Sequence, residues 1–396
     1  MKFRYRYWIA AGVLALVGIV LSGCENNYPP SLWNPNEKSG PQPVVTEIIP
    51  PDSAYAGVSI ITIKGQNFDP EPVKNLVFFG GKKAEILSAS ATELVVKAPN
   101  VVGDSLEVKI AVHGAELFSE VVYYKLKAAV QVFGKLGETD VVYAIAVDSE
   151  ENLYIDLEGK KIKKIARDGT TTHYADVGFL KANSMRMGPN NILYAAVTLG
   201  RLKKISAISP DGVESTFVTL AAIPYDLDFD QSGNMWVAAG KDVYLVKPNK
   251  SKSKVGSFAA KLRRIKLFNG YVYVLGGAAG QQKIWRAEIQ GETLGTPEEF
   301  VDLGAASWLE GAEVFSFTFA EDGDLFLGTD HSPDAIFILH ADGSHEILFE
   351  SLIGPRIFDL VWGQGNYLYA AQQLDGSSNV LKIDVGKKGA PYYGRQ

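Results

Sequence analysis

A short motif that recurs along residues 127–385 constrains the fold of this chain most strongly. Each copy is a polar turn and an aromatic strand, with an apolar strand before it and further strand-like pieces after it. The aromatic residues of the copies, at intervals of 40, 42, 37, 53 and 43 residues, are Tyr154, Tyr194, Trp236, Tyr273, Phe326 and Tyr369. Units of about 42 residues with four short strands are typical of β-propeller blades. The repeat therefore predicts a β-propeller of six blades.

The sixth unit lacks a fourth strand of its own. It ends at residue 385, whereas the apolar segment 130–133 lies unused just before the first unit. We expect 130–133 to complete the last blade, because this pairing would protect the open strand edges. Residues 386–396 remain as a tail. The long interval before Phe326 holds an insertion that includes Trp308, and we expect a loop on one face of the propeller there.

Residues 45–126 show a different pattern, in which short strand-like runs alternate with Gly, Pro and Asn turns. This pattern is typical of a small β-sandwich. The chain also has 39 glycines, 18 tyrosines and 19 phenylalanines, and these residues suit tight turns and strands. The sequence therefore predicts an all-β protein, with an immunoglobulin-like β-sandwich followed by the six-bladed propeller.

The N-terminal residues predict export from the cell. Three basic residues precede a charge-free apolar run that ends in Leu21-Ser22-Gly23-Cys24. The run is short for a membrane span and has the flanks of a secretory signal peptide, which we place at residues 1–23. Cys24 is the only cysteine, so an exported chain would have no intramolecular disulfide. The proline-rich residues 24–44 are predicted to be an extended linker. The alternative is an uncleaved membrane anchor beside a buried cysteine.

Three segments resemble known families. The end of the apolar run resembles the lipobox of bacterial lipoproteins, which implies that Cys24 carries lipid and anchors the chain to a membrane, with the outer membrane and the cell surface favoured. Residues 45–126 resemble the IPT/TIG immunoglobulin-like family through Ile61-Thr-Ile-Lys-Gly-Gln-Asn-Phe68 and Ala91-Thr-Glu-Leu-Val-Val-Lys-Ala-Pro99. That resemblance implies a spacer or contact module. The degenerate repeats resemble the NHL and gluconolactonase-like (SMP-30-like) six-bladed propellers.

The gluconolactonase-like resemblance implies a hydrolase with a central divalent cation such as Ca²⁺. Its ligands would be Glu, Asn and Asp side chains near the starts of the innermost strands. The corresponding positions here are Tyr143, Asn183, Tyr225, Arg263, Phe315 and Phe358. Only Asn183 is a suitable ligand, and Asp226 is the nearest carboxylate. The sequence therefore assigns no catalytic residue, cofactor or metal and leans away from an enzyme. A lactonase with Asn183 and Asp226 as metal ligands stays open as an alternative.

Aromatic side chains at the same positions favour ligand binding. Tyr143, Tyr225, Phe315 and Phe358, with Trp308 on the inserted loop, can stack on the apolar faces of sugar rings, and Asn183 can bind hydroxyl groups. Arg263 can hold a carboxylate or sulfate group. The structural alternative is that these side chains only fill the axial channel.

The predicted function is that of a non-catalytic, lipid-anchored surface protein whose propeller binds a ligand, with a glycan favoured. The other alternative is a protein–protein interaction scaffold at the outer membrane. The formal net charge of −6 argues against nucleic acid as a partner.

Overall fold

The structure is a computed structural model that describes residues 39–395. The predicted signal peptide, Cys24 and most of the linker therefore lie outside the described residues. The described part contains 34 β-strands and no α-helix. Four 3-10 turns lie at Pro72–Lys74, Pro189–Asn191, Ser307–Leu309 and Tyr393–Arg395. Within these residues, no helix has the length and apolar character needed to cross a membrane. The predicted all-β fold class is confirmed.

The first domain is a sandwich of two sheets. One sheet has the strand order β1 (Val44–Ile49), β3 (Ile60–Gln66), β7 (Glu93–Lys97) and β6 (Glu85–Ala89). The other has the order β2 (Ser53–Tyr55), β9 (Val122–Lys127), β8 (Gly103–Val112), β4 (Asn75–Phe79) and β5 (Lys82–Lys83). Alternate residues such as Ile61, Ile63 and Val77 are buried between the sheets, because successive strand residues face opposite sides.

The second domain is a six-bladed propeller. Each innermost strand contacts the innermost strand of the next blade, and the sixth contacts the first, so the ring is closed. The innermost strands are β11 (Val142–Val147), β15 (Ala182–Gly188), β19 (Pro224–Phe229), β23 (Leu262–Phe268), β28 (Val314–Phe319) and β32 (Ile357–Trp362). The second strands are β12 (Leu153–Leu157), β16 (Ile192–Leu199), β20 (Met235–Ala239), β24 (Tyr271–Gly276), β29 (Leu325–Thr329) and β33 (Tyr367–Leu374).

The outer half of each blade completes a four-stranded antiparallel sheet. The third strands are β13 (Lys161–Ile165), β17 (Leu202–Ile208), β21 (Asp242–Val246), β25 (Lys283–Gln290), β30 (Ile336–Leu339) and β34 (Ser377–Asp384). The outer strands of the first five blades are β14 (Thr171–Asp176), β18 (Glu214–Thr219), β22 (Lys252–Ser257), β27 (Glu298–Asp302) and β31 (His345–Ile347), and the fourth blade adds β26 (Thr293–Leu294). In the sixth blade, β10 (Val130–Val132) pairs antiparallel with β34, so the start of the propeller lies in one sheet with its end.

The repeated sequence motif has a local structural reason. In the first blade, the Asp148 carboxylate accepts hydrogen bonds from the Asn152 backbone N–H (2.8 Å) and from the Tyr154 hydroxyl (3.1 Å). In the third blade, Asp230 accepts the same backbone bond from Asn234 (2.9 Å) and a bond from the Trp236 indole N–H (3.0 Å). In these two blades, one carboxylate therefore binds both the polar turn and the aromatic residue of the motif.

A buried carboxyl group joins the first two blades. One oxygen of Asp156 on β12 accepts a hydrogen bond of 2.6 Å from the Ala182 backbone N–H on β15, and the other oxygen has no hydrogen-bond partner among residues 39–395. Burial raises the pKa of Asp156 to about 7, although the bond from Ala182 opposes the rise. The folded protein therefore holds this proton more tightly than the unfolded chain does. The contribution of Asp156 to stability is largest at low pH and is lost as the pH rises from about 4 to about 7.

We expect Asp156→Asn to gain stability relative to the wild type as the pH rises, because its amide oxygen keeps the Ala182 bond without carrying charge. The difference in free energy of unfolding should shift by about 2 kcal/mol between pH 5 and pH 8. Urea unfolding at the two pH values measures it. The exposed Asp375→Asn is the control, and equal pH profiles for Asp156→Asn and the wild type would refute the expectation.

The sandwich contacts the propeller close to the chain connection between them. The Lys127 Nζ lies 4.1 Å from the centroid of the Tyr55 ring and 3.6 Å from the Asp384 carboxylate on β34. The Tyr55 ring also lies 6.2 Å from the ring of Phe349, after the fifth blade. Burial, together with a hydrogen bond to Asp384, raises the pKa of Tyr55. Charged and aromatic side chains of the two domains therefore meet at this junction.

Candidate ligand-binding cleft

A β-bulge near the start of each innermost strand defines one end of the propeller channel. In every blade the register with the second strand shifts around a single residue. The six residues at the bulges are Tyr143, Asn183, Tyr225, Arg263, Phe315 and Phe358. A bulge inserts an extra residue and re-aims its side chain, so the same position is free of the sheet in all six blades. The sequence placed these residues just before the strands, and the structure places them one residue inside.

Five of the predicted ligand-binding residues line one cleft at this end of the channel. The cleft has a volume of about 750 Å³. Its lining includes Asn183, Tyr225, Arg263, Phe315 and Phe358. The volume is within the range of pockets that hold small ligands. The bulges thus bring together residues from the second to the sixth blade, which are far apart in the sequence.

The remaining two predicted residues lie elsewhere. Tyr143 occupies the bulge of the first blade but does not line the cleft, and the Lys181 Nζ lies 5.5 Å from its ring centroid. Trp308 was expected at the mouth. The structure instead stacks its ring on His345 at 4.9 Å and packs it 5.8 Å from the ring of Phe337. The insertion that carries Trp308 therefore folds onto the fifth blade, because apolar partners for the indole are available there.

The walls of the cleft present aromatic faces. The rings of Phe315 and Phe358 are stacked, with centroids 4.5 Å apart and planes at 17°. Tyr225 also lines the cleft, and the Lys261 Nζ lies 4.9 Å from its ring centroid. Trp285 of β25 adds a further ring to the lining. Such rings offer flat apolar surfaces beside polar groups, which suits amphipathic ligands.

The floor of the cleft includes a guanidinium group. Arg264, one residue after the bulge in the fourth blade, donates hydrogen bonds to the carbonyl oxygens of Asn183 (3.2 Å) and Phe358 (3.0 Å). It therefore bridges the second and sixth blades across the channel. Next to it, Arg263 forms an ion pair with Glu313.

Sequence reasoning predicted Arg263 of the fourth blade but missed the other residues that this blade contributes to the cleft. Lys261, Gln281, Lys283 and Trp285 line the cleft beside the bulge residues. The signal in the sequence is the Gly276-Gly277 pair, which indicates a tight turn beside the cleft. A Cβ on Gly277, which has a φ of +101°, would lie 2.6 Å from the Gln281 carbonyl oxygen. Glycine is required there so that the loop can close tightly at the rim.

The residues considered for a metal site do not fit one. Asp226 is fully buried, and its carboxylate lies 3.2 Å from the Arg186 guanidinium and 3.8 Å from the Lys266 ammonium. Burial alone would raise the pKa of Asp226, but Arg186, Lys266 and Arg264 hold it below its usual value. The Asn183 side-chain amide donates a bond of 2.7 Å to the Pro224 carbonyl oxygen.

A divalent cation at Asp226 would therefore meet a carboxylate that is already neutralised by two cationic side chains. Across residues 39–395, no group of three or more His, Cys, Asp or Glu side chains is placed to hold a metal ion. Asp226 thus belongs to an internal ion-pair network, and the Asn183 amide is bonded to a carbonyl oxygen. The two ligands of the lactonase alternative therefore do not fit a metal site in this channel.

The opposite end of the channel is covered by the C-terminal tail. Ala390 donates a backbone hydrogen bond of 2.9 Å to the Phe319 carbonyl oxygen at the end of β28. The Tyr392 hydroxyl donates a bond of 2.5 Å to the Met187 carbonyl oxygen near the end of β15. Because these bonds join the ends of innermost strands, the tail lies at the far side of the ring from the bulges. The bulge end is thus the one that offers a cleft.

Comparison with known proteins agrees with this architecture. Residues 43–125 match the family model described as the IPT/TIG domain. This segment is an IPT/TIG domain. The family model covers the first domain only, and no curated protein matches the chain in sequence.

Solved structures show a similar arrangement over most of the chain. An auxiliary nutrient binding protein from Bacteroides thetaiotaomicron VPI-5482 is 14% identical, with a TM-score of 0.55 over 89% of this chain and 98% of that chain. One from Bacteroides ovatus ATCC 8483 is 13% identical, with a TM-score of 0.53 over 89% of this chain and 99% of that chain. A protein assigned as a gluconolactonase is 13% identical, with a TM-score of 0.54 over 67% of this chain and 96% of that chain. At identities this low, the structural similarity establishes the fold alone, a β-sandwich followed by a six-bladed β-propeller, and says nothing of the activity.

Proposed function

We propose that this chain is a non-catalytic binding protein whose propeller holds a glycan in the cleft at the bulge end. The observation that carries the proposal is the cleft itself, which is lined by the bulge residues of five blades at one end of a channel whose other end is covered by the tail. A set of aromatic faces beside amide and cationic donors is suited to sugar rings, which have apolar faces and hydroxyl edges.

The comparisons support a binding role for this architecture. Two proteins with the same fold over 89% of this chain are named auxiliary nutrient binding proteins. A hydrolytic role has less support from the residues, because the carboxylates that directly follow two of the bulge residues, Asp226 and Asp359, are both paired with Arg186. Function on a shared fold depends on the site, and this site offers stacking surfaces and hydrogen-bond donors.

The IPT/TIG domain would act as a spacer between the membrane and the binding head. In this proposal a lipid on Cys24 anchors the exported chain at the outer membrane and exposes it at the cell surface. Export and lipidation rest on the sequence of residues 1–24, which precede the described part of the chain. The proline-rich linker would then carry the IPT/TIG domain clear of the lipid headgroups.

We expect Tyr225→Ala to weaken glycan binding about tenfold or more, because the variant loses an aromatic face of the cleft. Binding of the full chain to a polysaccharide array, followed by titration calorimetry on the hits, measures the effect. Tyr143→Ala is the matched control, since Tyr143 occupies the same bulge in the first blade outside the cleft and also has a lysine over its ring. A chain that binds no polysaccharide, or a Tyr225→Ala variant that binds like the wild type, would contradict the proposal.

We expect Cys24→Ser to release the protein from the membrane, because a thioether-linked lipid cannot form on serine. Fractionation of expressing cells, with mass spectrometry of the N-terminal peptide, tests this. Asn26→Ser, two residues further along the linker, is the control. A Cys24→Ser protein that stays in the membrane fraction would show that something other than lipid on Cys24 holds the chain there.

A further inference from the structure

The charged residues that line the cleft are all basic, and a neutral ligand would not require this excess of positive charge. Its lining contains Lys261, Arg263, Arg264 and Lys283 and no Asp or Glu residue. The chain as a whole has a formal charge of −6, so this local excess of cations runs against the overall balance. A concave site lined by one sign of charge attracts ligands of the other sign.

Two of the four cations are already neutralised by carboxylates of the protein. Arg263 is paired with Glu313. The Lys283 Nζ lies 2.8 Å from Glu299 and 2.7 Å from Asp302. These two cations therefore already have carboxylate partners in the protein, and the other two are the ones that can bind an anionic ligand.

Among residues 39–395, Arg264 and Lys261 form no ion pair with a carboxylate. Arg264 donates to the carbonyl oxygens of Asn183, Arg263 and Phe358, and its Nε is buried without a hydrogen-bond partner among the described residues. Within residues 39–395, Lys261 forms no ion pair, and its Nζ lies over the ring of Tyr225. Arg264 is half-buried, and it acts on the Asp226 carboxylate less strongly than Arg186 and Lys266 do. Its positive charge therefore remains available to attract an anionic ligand group in the cleft.

We propose that the ligand of this cleft is an acidic glycan, one that carries a carboxylate or a sulfate group on its sugar rings. The inference rests on the proposed function and adds the chemical class of the ligand. The Tyr225 ring offers a surface for a sugar face, and Lys261 beside it would meet an anionic substituent of the same or the next ring. Arg264 on the floor presents planar donors, which suit carboxylate and sulfate oxygens.

The fold supplies a matched control for Lys261. Lys181 lies two residues before the bulge of the second blade, as Lys261 lies two residues before that of the fourth. Each lysine is exposed and lies over the bulge tyrosine of the preceding blade, at 5.5 Å for Lys181 and 4.9 Å for Lys261. Only Lys261 lines the cleft. Replacing either lysine with methionine keeps the apolar stem and removes the charge.

The test is an array of acidic polysaccharides printed beside their carboxyl-reduced and desulfated counterparts, with titration calorimetry on oligosaccharides of the hits. We expect an acidic member to bind about tenfold more tightly than its neutral counterpart. If the carboxyl-reduced counterpart fails to bind, the recognised group is a carboxylate. If the desulfated counterpart fails to bind, the recognised group is a sulfate. Lys261→Met should weaken acidic binding about fivefold to tenfold, and Lys181→Met should bind like the wild type.

Two results would overturn the inference in different ways. If neutral counterparts bind as tightly as acidic ones, or Lys261→Met binds acidic ligands like the wild type while Tyr225→Ala fails, the charge inference is wrong and the proposed function stands. If no polysaccharide binds at all, both are wrong. Loss of binding in Lys181→Met equal to that in Lys261→Met would also refute the inference, because the effect would then not depend on the cleft.

Discussion

Replacing Arg186 with methionine is expected to lower the free energy of unfolding by about 3–5 kcal/mol, which corresponds to a drop of roughly 6–20 °C in Tm. Arg186 lies inside the channel and pairs with Asp226 at 3.2 Å and with Asp359 at 3.4 Å, and the side chains of all three are at most 3% exposed. Removing Arg186 leaves two buried carboxylates with less compensating positive charge, because Lys266, 3.8 Å from Asp226, is the cation that remains in an ion pair with them among the described residues. Since Asp226 and Asp359 come from different blades, the loss would loosen the ring of innermost strands.

The pH dependence separates this mechanism from a simple loss of packing. In the wild type, the pKa of Asp226 is held below its usual value, so its stabilising contribution is present above about pH 4 and is lost as the pH falls through the folded-state pKa. Without Arg186, burial would raise that pKa, and the variant would gain stability on acidification. The difference in free energy of unfolding between Arg186→Met and the wild type should therefore be smaller at pH 5 than at pH 8.

Chemical unfolding at both pH values measures this difference. Arg201→Met is the control, because Arg201 lies exposed in the turn between β16 and β17 of the same blade. A difference in free energy of unfolding that does not change with pH would assign the effect to lost packing. No difference at either pH would show that the network contributes nothing to stability.

Deleting the tail from Gly389 onward is expected to destabilise the propeller by about 3 kcal/mol without weakening ligand binding by the folded protein. The deletion removes the backbone bond from Ala390 to Phe319 and the bond from Tyr392 to Met187. It also exposes a small cavity lined by Ala390, Pro391 and Tyr392 against Arg186 and Lys266. Water would then reach the ion-pair network from the covered end, whereas the cleft at the bulge end would be unchanged.

Differential scanning calorimetry and glycan titration of the same preparation test both parts of this expectation. Tyr392→Phe keeps the tail and removes only its hydroxyl bond, so it should lose about 1 kcal/mol. A truncated protein as stable as the full chain would show that the contacts of the tail with the propeller do not contribute to stability. A folded truncation that no longer binds ligand would place the binding site at the tail end and not at the bulges.

Much of the site was accessible from the sequence because the repeat is regular. Once the period was known, equivalent positions could be aligned, and the six positions chosen before the innermost strands proved to be the six bulge residues. Trp308 was misplaced for the opposite reason. It lies on an insertion that has no counterpart in the other blades, so no repeat fixed its direction, and its partners Phe337 and His345 were identified only by packing.

By itself, the sequence determined the fold class, the six-bladed repeat and the IPT/TIG domain, because strand periodicity, turn residues and repeat length are local properties of the chain. It also carries the prediction of a lipid on Cys24. Only the tertiary structure decided that Asp226 pairs with Arg186, that the tail covers one end of the channel, and that Lys261 and Arg264 line the cleft without an ion pair to any carboxylate of the described residues. These outcomes depend on which side chains from distant blades meet at the axis of the propeller. Whether a charge there has a partner is decided by the arrangement of several blades, and the sequence of one repeat does not contain that information.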